Sequence, residues 1–215
     1  MNRLPIEKRA QMIGMLVEGM SMRAVSRLAD VSINTVTKLL SDVGAACAEY
    51  QDKTMSNLSI THVQVDEIWA FIGAKQKNVP HDADPTLGLG DCYTYTAIDP
   101  ITKLMPCYML GYRTAESAQQ FMADLAPRLA NRVQLTTDGM NGYPRAVALA
   151  FGANVDYAVL NKTYEGGLPD VEAKRRYSPA VCTGATKNVV CGSPELRDVS
   201  TSHVERANLT MRMGT

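Results

Sequence analysis

Three acidic stretches have the residue types and setting for chemistry: Asp66 with Glu67 inside the apolar run "VQVDEIWAF", Asp138 in "TTDGMNGYP", and Glu205 in "SHVERANLTMRM". A carboxylate in a strand bound for a core needs a partner, because burying it ionised and alone costs several kcal/mol or forces it neutral. A divalent metal is one such partner. Strand alternation puts Val63, Val65, Glu67, Trp69 and Phe71 on one face and His62, Gln64, Asp66 and Ile68 on the other. Asp66 therefore lies on the less apolar face. Asp138, at the end of a strand, stands beside it if the two strands are neighbours, and Glu205 supplies a third acid from the last helix. Carboxylate oxygens are the ligands Mg²⁺ prefers. Two such ions about 3.5 to 4 Å apart activate an attacking oxygen and stabilise a leaving oxygen in phosphodiester chemistry.

Each acid also has a plainer role. Asp66 could be a structural acid paired with Arg or Lys, and Glu67 reads as a salt-bridge or supporting group rather than a ligand. Asp138 precedes Gly139, a common turn dipeptide. Glu205 fits the capping box Ser-x-x-Glu, in which it would reach back to the backbone N–H of Ser202.

The acids need a scaffold, and the pattern around them supplies one. "ITHVQVDEIWAFIGAK", "CYTYTAID" and "KLMPCYMLGY" have strand composition, with "DPIT" as a turn between the last two. "TAESAQQFMADLAPRLA" predicts a helix capped by Thr114, with Ala118, Phe121, Met122, Leu125 and Leu129 on one face. "RVQLTTDG" predicts a short strand ending at Asp138, a helix follows over about 144–151, and "VDYAVL" is another strand. Three strands, helix, strand, helix, strand predict an α/β sheet covered by helices. Residues 161–200 have no sustained period and read as a long insertion without an assigned task. A helix returns at "TSHVERANLTMRM".

The first forty residues predict three helices. Ile6, Ala10, Ile13 and Val17 form one apolar stripe. Ser21 caps a second helix with Ala24, Val25 and Leu28 inward, and Ser32 caps a third with Ile33, Val36, Leu39 and Leu40 inward. Two short capped helices across so tight a turn make a helix-turn-helix, a motif that lays its second helix in the major groove of double-stranded DNA. Asn34, Thr35 and Lys38 would then reach base edges or phosphates, and Arg23 and Arg27 phosphates. A plain three-helix bundle for protein contacts is the alternative.

"SMRAVSRLADVSINTVTKLL" resembles the helix-turn-helix of bacterial transposases and resolvases, with Asp30 where the turn often has Gly. The three acidic blocks together resemble the signature blocks of DDE transposases of the insertion-sequence-one type. The resemblance implies a ribonuclease H-like catalytic core that uses Mg²⁺ or Mn²⁺ to cleave transposon-end DNA and join the 3′-hydroxyl to target DNA. It implies Asp66, Asp138 and Glu205 as catalytic metal ligands, with Arg206 and Asn208 completing a Glu-Arg-x-Asn pattern. A homo-oligomer on paired DNA ends and a cytoplasmic, nucleoid-associated bacterial location are also implied. The expected layout is a helix-turn-helix domain over 1–45, a linker over 46–60 and the catalytic domain over 61–215. Against the family pattern the chain reads as C-terminally truncated, so the alternative is an inactive transposase that binds ends and represses the intact enzyme.

Composition agrees with this reading. The 215 residues are 46% hydrophobic, enough for a substantial core. No run has the 18 or more apolar residues of a membrane span, and no secretory leader is evident. Five cysteines at irregular spacing argue against a disulfide framework, and Cys182, Cys191 and His203 fit no zinc ribbon. Residues 1–40 carry six Lys/Arg against three Asp/Glu, 54–160 seven against ten, and 161–215 eight against six. Basic ends suit an anionic partner and an acidic middle suits cations. Lys162, Lys174, Arg175, Arg176 and Lys187 are further candidates for DNA phosphates.

Overall fold

The computed structural model describes residues 4–164 and 182–214. Two compact units divide the chain, one of residues 1–55 with 206–215 and one of residues 56–205.

The first unit contains helices α1 (Ile6–Val17), α2 (Met22–Leu28) and α3 (Ile33–Thr54). Ser21 and Ser32 cap α2 and α3 as expected, each hydroxyl accepting a backbone N–H three residues on at 3.2 Å. Asp30 between them has φ +48°, a left-handed conformation that Asp tolerates better than most residues. The core differs from the expected stripes. Met12, Val25, Ala29, Val36 and Leu39 are buried, with Leu4, Ile13, Met15 and Leu16 packed around them. Ile6, Val17, Leu28, Ile33 and Leu40 are exposed. The larger set of Leu4, Met12, Met15 and Leu16 competes with the Ile6 and Val17 stripe for the inner face of α1 and buries more apolar surface. The expected linker over 46–60 also starts too early: α3 continues to Thr54, and its outer turns carry the exposed pair Lys53–Glu49 at four-residue spacing.

The second unit is built on a six-stranded mixed sheet in the order β3-β2-β1-β4-β5-β6. The strands are β1 (His62–Ile72), β2 (Gly90–Ile98), β3 (Tyr108–Gly111), β4 (Val133–Asp138), β5 (Val155–Tyr164) and β6 (Cys182–Cys191). β1, β2 and β3 form an antiparallel meander, β1, β4 and β5 run parallel, and β6 returns antiparallel at the edge. Asp99 holds the "DPIT" turn by accepting from the N–H groups of Ile101 and Thr102.

Helices α4 (Ala115–Leu125) and α5 (Tyr143–Phe151) follow β3 and β4. Thr114 caps α4 through the N–H of Ser117. Phe121, Met122 and Leu125 of α4 and Ala146 and Val147 of α5 share a core with Val63, Val65, Tyr95, Leu135, Tyr157 and Val159 of the strands. Residues of alternating parity point to the other face, where Gln64, Thr96, Gln134 and Thr136 are buried polar groups and Ala158 and Leu160 pack with Val199. The last helix, α6 (Ser202–Met213), begins beyond Val199. A mixed sheet with flanking helices is compatible with the ribonuclease H-like arrangement.

The expected structureless insertion over 161–200 is corrected at both ends. β5 runs on to Tyr164, and 182–191 is the edge strand β6. Nine of the ten residues of β6 are exposed. A strand with its side chains mostly exposed shows no apolar alternation, since burial of one face is what produces it. Lys174, Arg175 and Arg176 lie outside the described residues. Cys182 and Cys191 end the same ten-residue strand, about 30 Å apart at strand rise, so they cannot share one ion.

Candidate active site

The parallel pairing of β1 with β4 sets the site. His62 lies opposite Gln134 and Gln64 opposite Thr136. Carried two residues further, the same register puts Asp66 beside Asp138. β4 stops there, and the chain turns through Gly139 into α5. A side chain at Gly139 would have to displace the Asn161 side chain of β5, whose Oδ1 lies against the glycine.

Asp66, Glu67 and Asp138 each offer a carboxylate oxygen, and these atoms lie within 4.8 Å of one another. A cleft of about 890 Å³ is lined by Asp66 and Asp138, and also by Arg113, Lys162 and Glu205. Glu205 thus lies in the same cleft as Asp66 and Asp138 but outside the tight cluster. It does not make the capping-box contact, since the N–H of Ser202 donates to Ser200 Oγ. Its carboxylate instead accepts from the Thr201 hydroxyl and pairs with Lys162.

Two protein cations balance the acids. Arg113 donates from Nε to Glu67 Oε2 at 3.2 Å and from a terminal nitrogen to Asp138 Oδ2 at 2.9 Å. Asp138 Oδ1 accepts the N–H of Met140 at 3.1 Å. Burial works against the charge of Arg113, but Glu67 and Asp138 outweigh it and its pKa is raised. Lys162 follows the same logic: burial opposes its charge, while the hydrogen bond and charge of Glu205, helped by Tyr164 and Asp66, hold it ionised.

Glu67 is the deepest of the acids, with a side chain only 3% exposed. Its pKa is raised to about 7, first by burial and then by the charge of Asp138. The Tyr143 hydroxyl, which donates to Glu67 Oε1, and Arg113 restrain the rise. Tyr143 is itself buried, and its phenol is pushed well above the usual range by burial and by Glu67. Its ring packs edge-on to Tyr95 at 6.5 Å. Glu67 therefore belongs to a rigid polar network that reaches Asp138 through Arg113.

Sequence reasoning missed Arg113, Tyr143 and, as a partner of Glu205, Lys162. No local signal marks them, because each meets its acid across 25 to 76 residues of chain.

In the first unit, Arg23, Arg27, Asn34 and Lys38 are exposed and Thr35 is half-buried. Thr35 serves the cap of α3, its N–H and hydroxyl both meeting Ser32 Oγ. Lys38 pairs with Asp42 one turn on at 3.0 Å. Lys187 of β6 donates to the carbonyl of Leu196.

All the ligands in the acidic cluster are carboxylate oxygens. That donor set fits a hard cation such as Mg²⁺ or Mn²⁺, and among the described residues the cleft lining offers no thiol or imidazole for a softer metal. No helix among the described residues is long and apolar enough to cross a membrane.

No protein-family model matches this chain, and no curated protein matches it. Among solved structures, a piggyBac transposase synaptic complex with hairpin DNA aligns over 99% of this chain at 11% identity and a TM-score of 0.39. This chain covers 58% of that one's length.

Proposed function

We propose that the protein is a metal-dependent DDE transposase of the insertion-sequence-one type, which cleaves transposon-end DNA and transfers the freed 3′-hydroxyl to a target strand. The carrying observation is the cluster of Asp66, Glu67 and Asp138, carboxylates within 4.8 Å of one another, of which Asp66 and Asp138 line a cleft that Glu205 also lines. The motif blocks around these acids support the reading, as does a mixed sheet that presents Asp66 and Asp138 on adjacent parallel strands.

In this reading Asp66, Asp138 and Glu205 hold Mg²⁺ or Mn²⁺. The bound metal supplies Lewis-acid activation of the attacking oxygen and charge stabilisation for the leaving oxygen. Arg113 orients the Asp138 carboxylate and anchors it to Glu67. Tyr143 fixes Glu67 from the helix side. Lys162 keeps Glu205 aimed into the cleft and places a cation beside the path of an incoming phosphate. The ribonuclease H-like core is preceded by a helix-turn-helix in which Arg23, Arg27, Asn34, Thr35 and Lys38 meet double-stranded DNA. A homo-oligomer pairs the two ends, and the protein works on the nucleoid in the bacterial cytoplasm.

The test is cleavage of a supercoiled plasmid carrying the element's ends with Mg²⁺, comparing the protein with Asp66→Asn. Cutting by the first alone supports the assignment. Equal cutting by both removes the role of Asp66, and no cutting by either with end binding retained supports a repressor.

A further inference from the structure

The polar face of β1 does more than present Asp66. Gln64, two residues earlier on the same face, is buried, and its Oε1 accepts the backbone N–H groups of His203 at 2.9 Å and Val204 at 3.2 Å. These are first-turn donors of α6, which have no partner within the helix. On the adjacent strand Gln134, also buried, closes a two-bond ring with the peptide of Glu195: Nε2 donates to its carbonyl at 3.1 Å and Oε1 accepts its N–H at 2.8 Å. Val199 packs between these anchor points against Ala158 and Leu160. The segment 195–204 is thus held to the sheet at both ends, and Glu205 is the next residue.

We propose that Gln64 is a positioning residue for Glu205. Its carboxamide caps the helix that carries the third acid from the strand that carries the first. Gln64 thereby ties the start of that helix directly to the strand of Asp66. A side-chain acceptor at a helix start fixes both the first residue of the helix and the direction of its axis. Gln64 reaches two N–H groups at once, so losing it leaves both without their acceptor in the turn that leads into Glu205, whose carboxylate keeps its contacts with Thr201 and Lys162. Gln134 secures the approach to that turn. The inference rests on the proposed role of Glu205 as a metal ligand.

The experiment measures Mn²⁺ binding by calorimetry to the full chain, to Gln64→Leu and to Gln64→Glu, each also in a Glu205→Gln background. Gln64→Leu keeps the apolar volume but removes the acceptor, and its Mn²⁺ affinity is expected to fall about tenfold, as when a supporting group behind a ligand is lost. Gln64→Glu keeps an acceptor for both N–H groups and is expected to bind at least as well as the unmodified chain. In the Glu205→Gln background Gln64→Leu should have no further effect. A fall that persists in that background, or no fall at all, overturns the positioning role. Absence of Mn²⁺ binding by the unmodified chain refutes instead the metal reading on which the inference rests. Amide hydrogen exchange gives a second readout: Gln64→Leu should speed exchange at His203 and Val204 and leave β4 protected. Unchanged protection at those two amides overturns the cap.

Discussion

Arg113 is the cation whose removal should make the cleft depend on metal. Its guanidinium sits 3.2 Å from Glu67 and 2.9 Å from Asp138, and with Asp66 these are three carboxylates whose oxygens lie within 4.8 Å. At an effective dielectric of about 20, a pair of unit charges near 4 Å interacts by about 4 kcal/mol. The Arg113 side chain is 43% exposed, so solvent screening reduces its net contribution to about 2 kcal/mol. Arg113→Ala should therefore lower the melting temperature by about 4 to 8 °C without metal, given the usual scaling for a unit of this size. A divalent ion then supplies the missing charge without displacing a guanidinium. The variant should bind Mn²⁺ about 30-fold more tightly, the same 2 kcal/mol expressed as affinity. Differential scanning fluorimetry across a Mn²⁺ titration reads both quantities. A variant whose metal-induced rise in melting temperature is no larger than that of the unmodified protein would refute the idea that Arg113 and metal serve the same carboxylates.

Glu67 predicts a pH effect. A carboxylate raised from 4.5 to about 7 binds a proton more tightly folded than unfolded, so its contribution to stability is present below pH 4.5 and lost as pH rises towards 7. Glu67→Gln should flatten that slope and gain up to about 3 kcal/mol at pH 8 relative to pH 4.5; parallel stability profiles for both proteins would exclude Glu67 as the source. Lys38 is exposed on α3 and pairs with Asp42, and Lys38→Ala should weaken DNA binding while reducing the salt slope by about one if it contacts a phosphate. A fluorescence-anisotropy titration at several salt concentrations checks this, and an unchanged slope removes the contact.

What was legible in the sequence follows from how local each cause is. The caps at Ser21, Ser32 and Thr114 are contacts over three residues, and all three form as read. The alternation of β1 puts Asp66 on the side that lines the cleft and Glu67 against Tyr143, but it does not foresee that their carboxylates come within 4.8 Å of each other beside Asp138. β6 and the second half of α3 were invisible for the opposite reason. Their side chains are mostly exposed, so burial leaves no periodic trace. In the first unit the stripe chosen for α1 failed because two apolar faces were available and only packing decides between them. The cleft divides the same way. Its acids stood in recognisable blocks, whereas Arg113, Tyr143, Lys162 and Gln64 reach the site through strand register and helix placement, across sequence separations that no local pattern spans.

In the proposed function Asp66 and Asp138 hold a divalent cation together. Mn²⁺ binding, read by calorimetry on the unmodified protein, on Asp66→Asn and on Asp138→Asn, tests it most directly. Saturable binding by the unmodified protein is expected, with at least a tenfold loss in each variant, because each removes one of the charged ligands. Equal binding by all three proteins would contradict it.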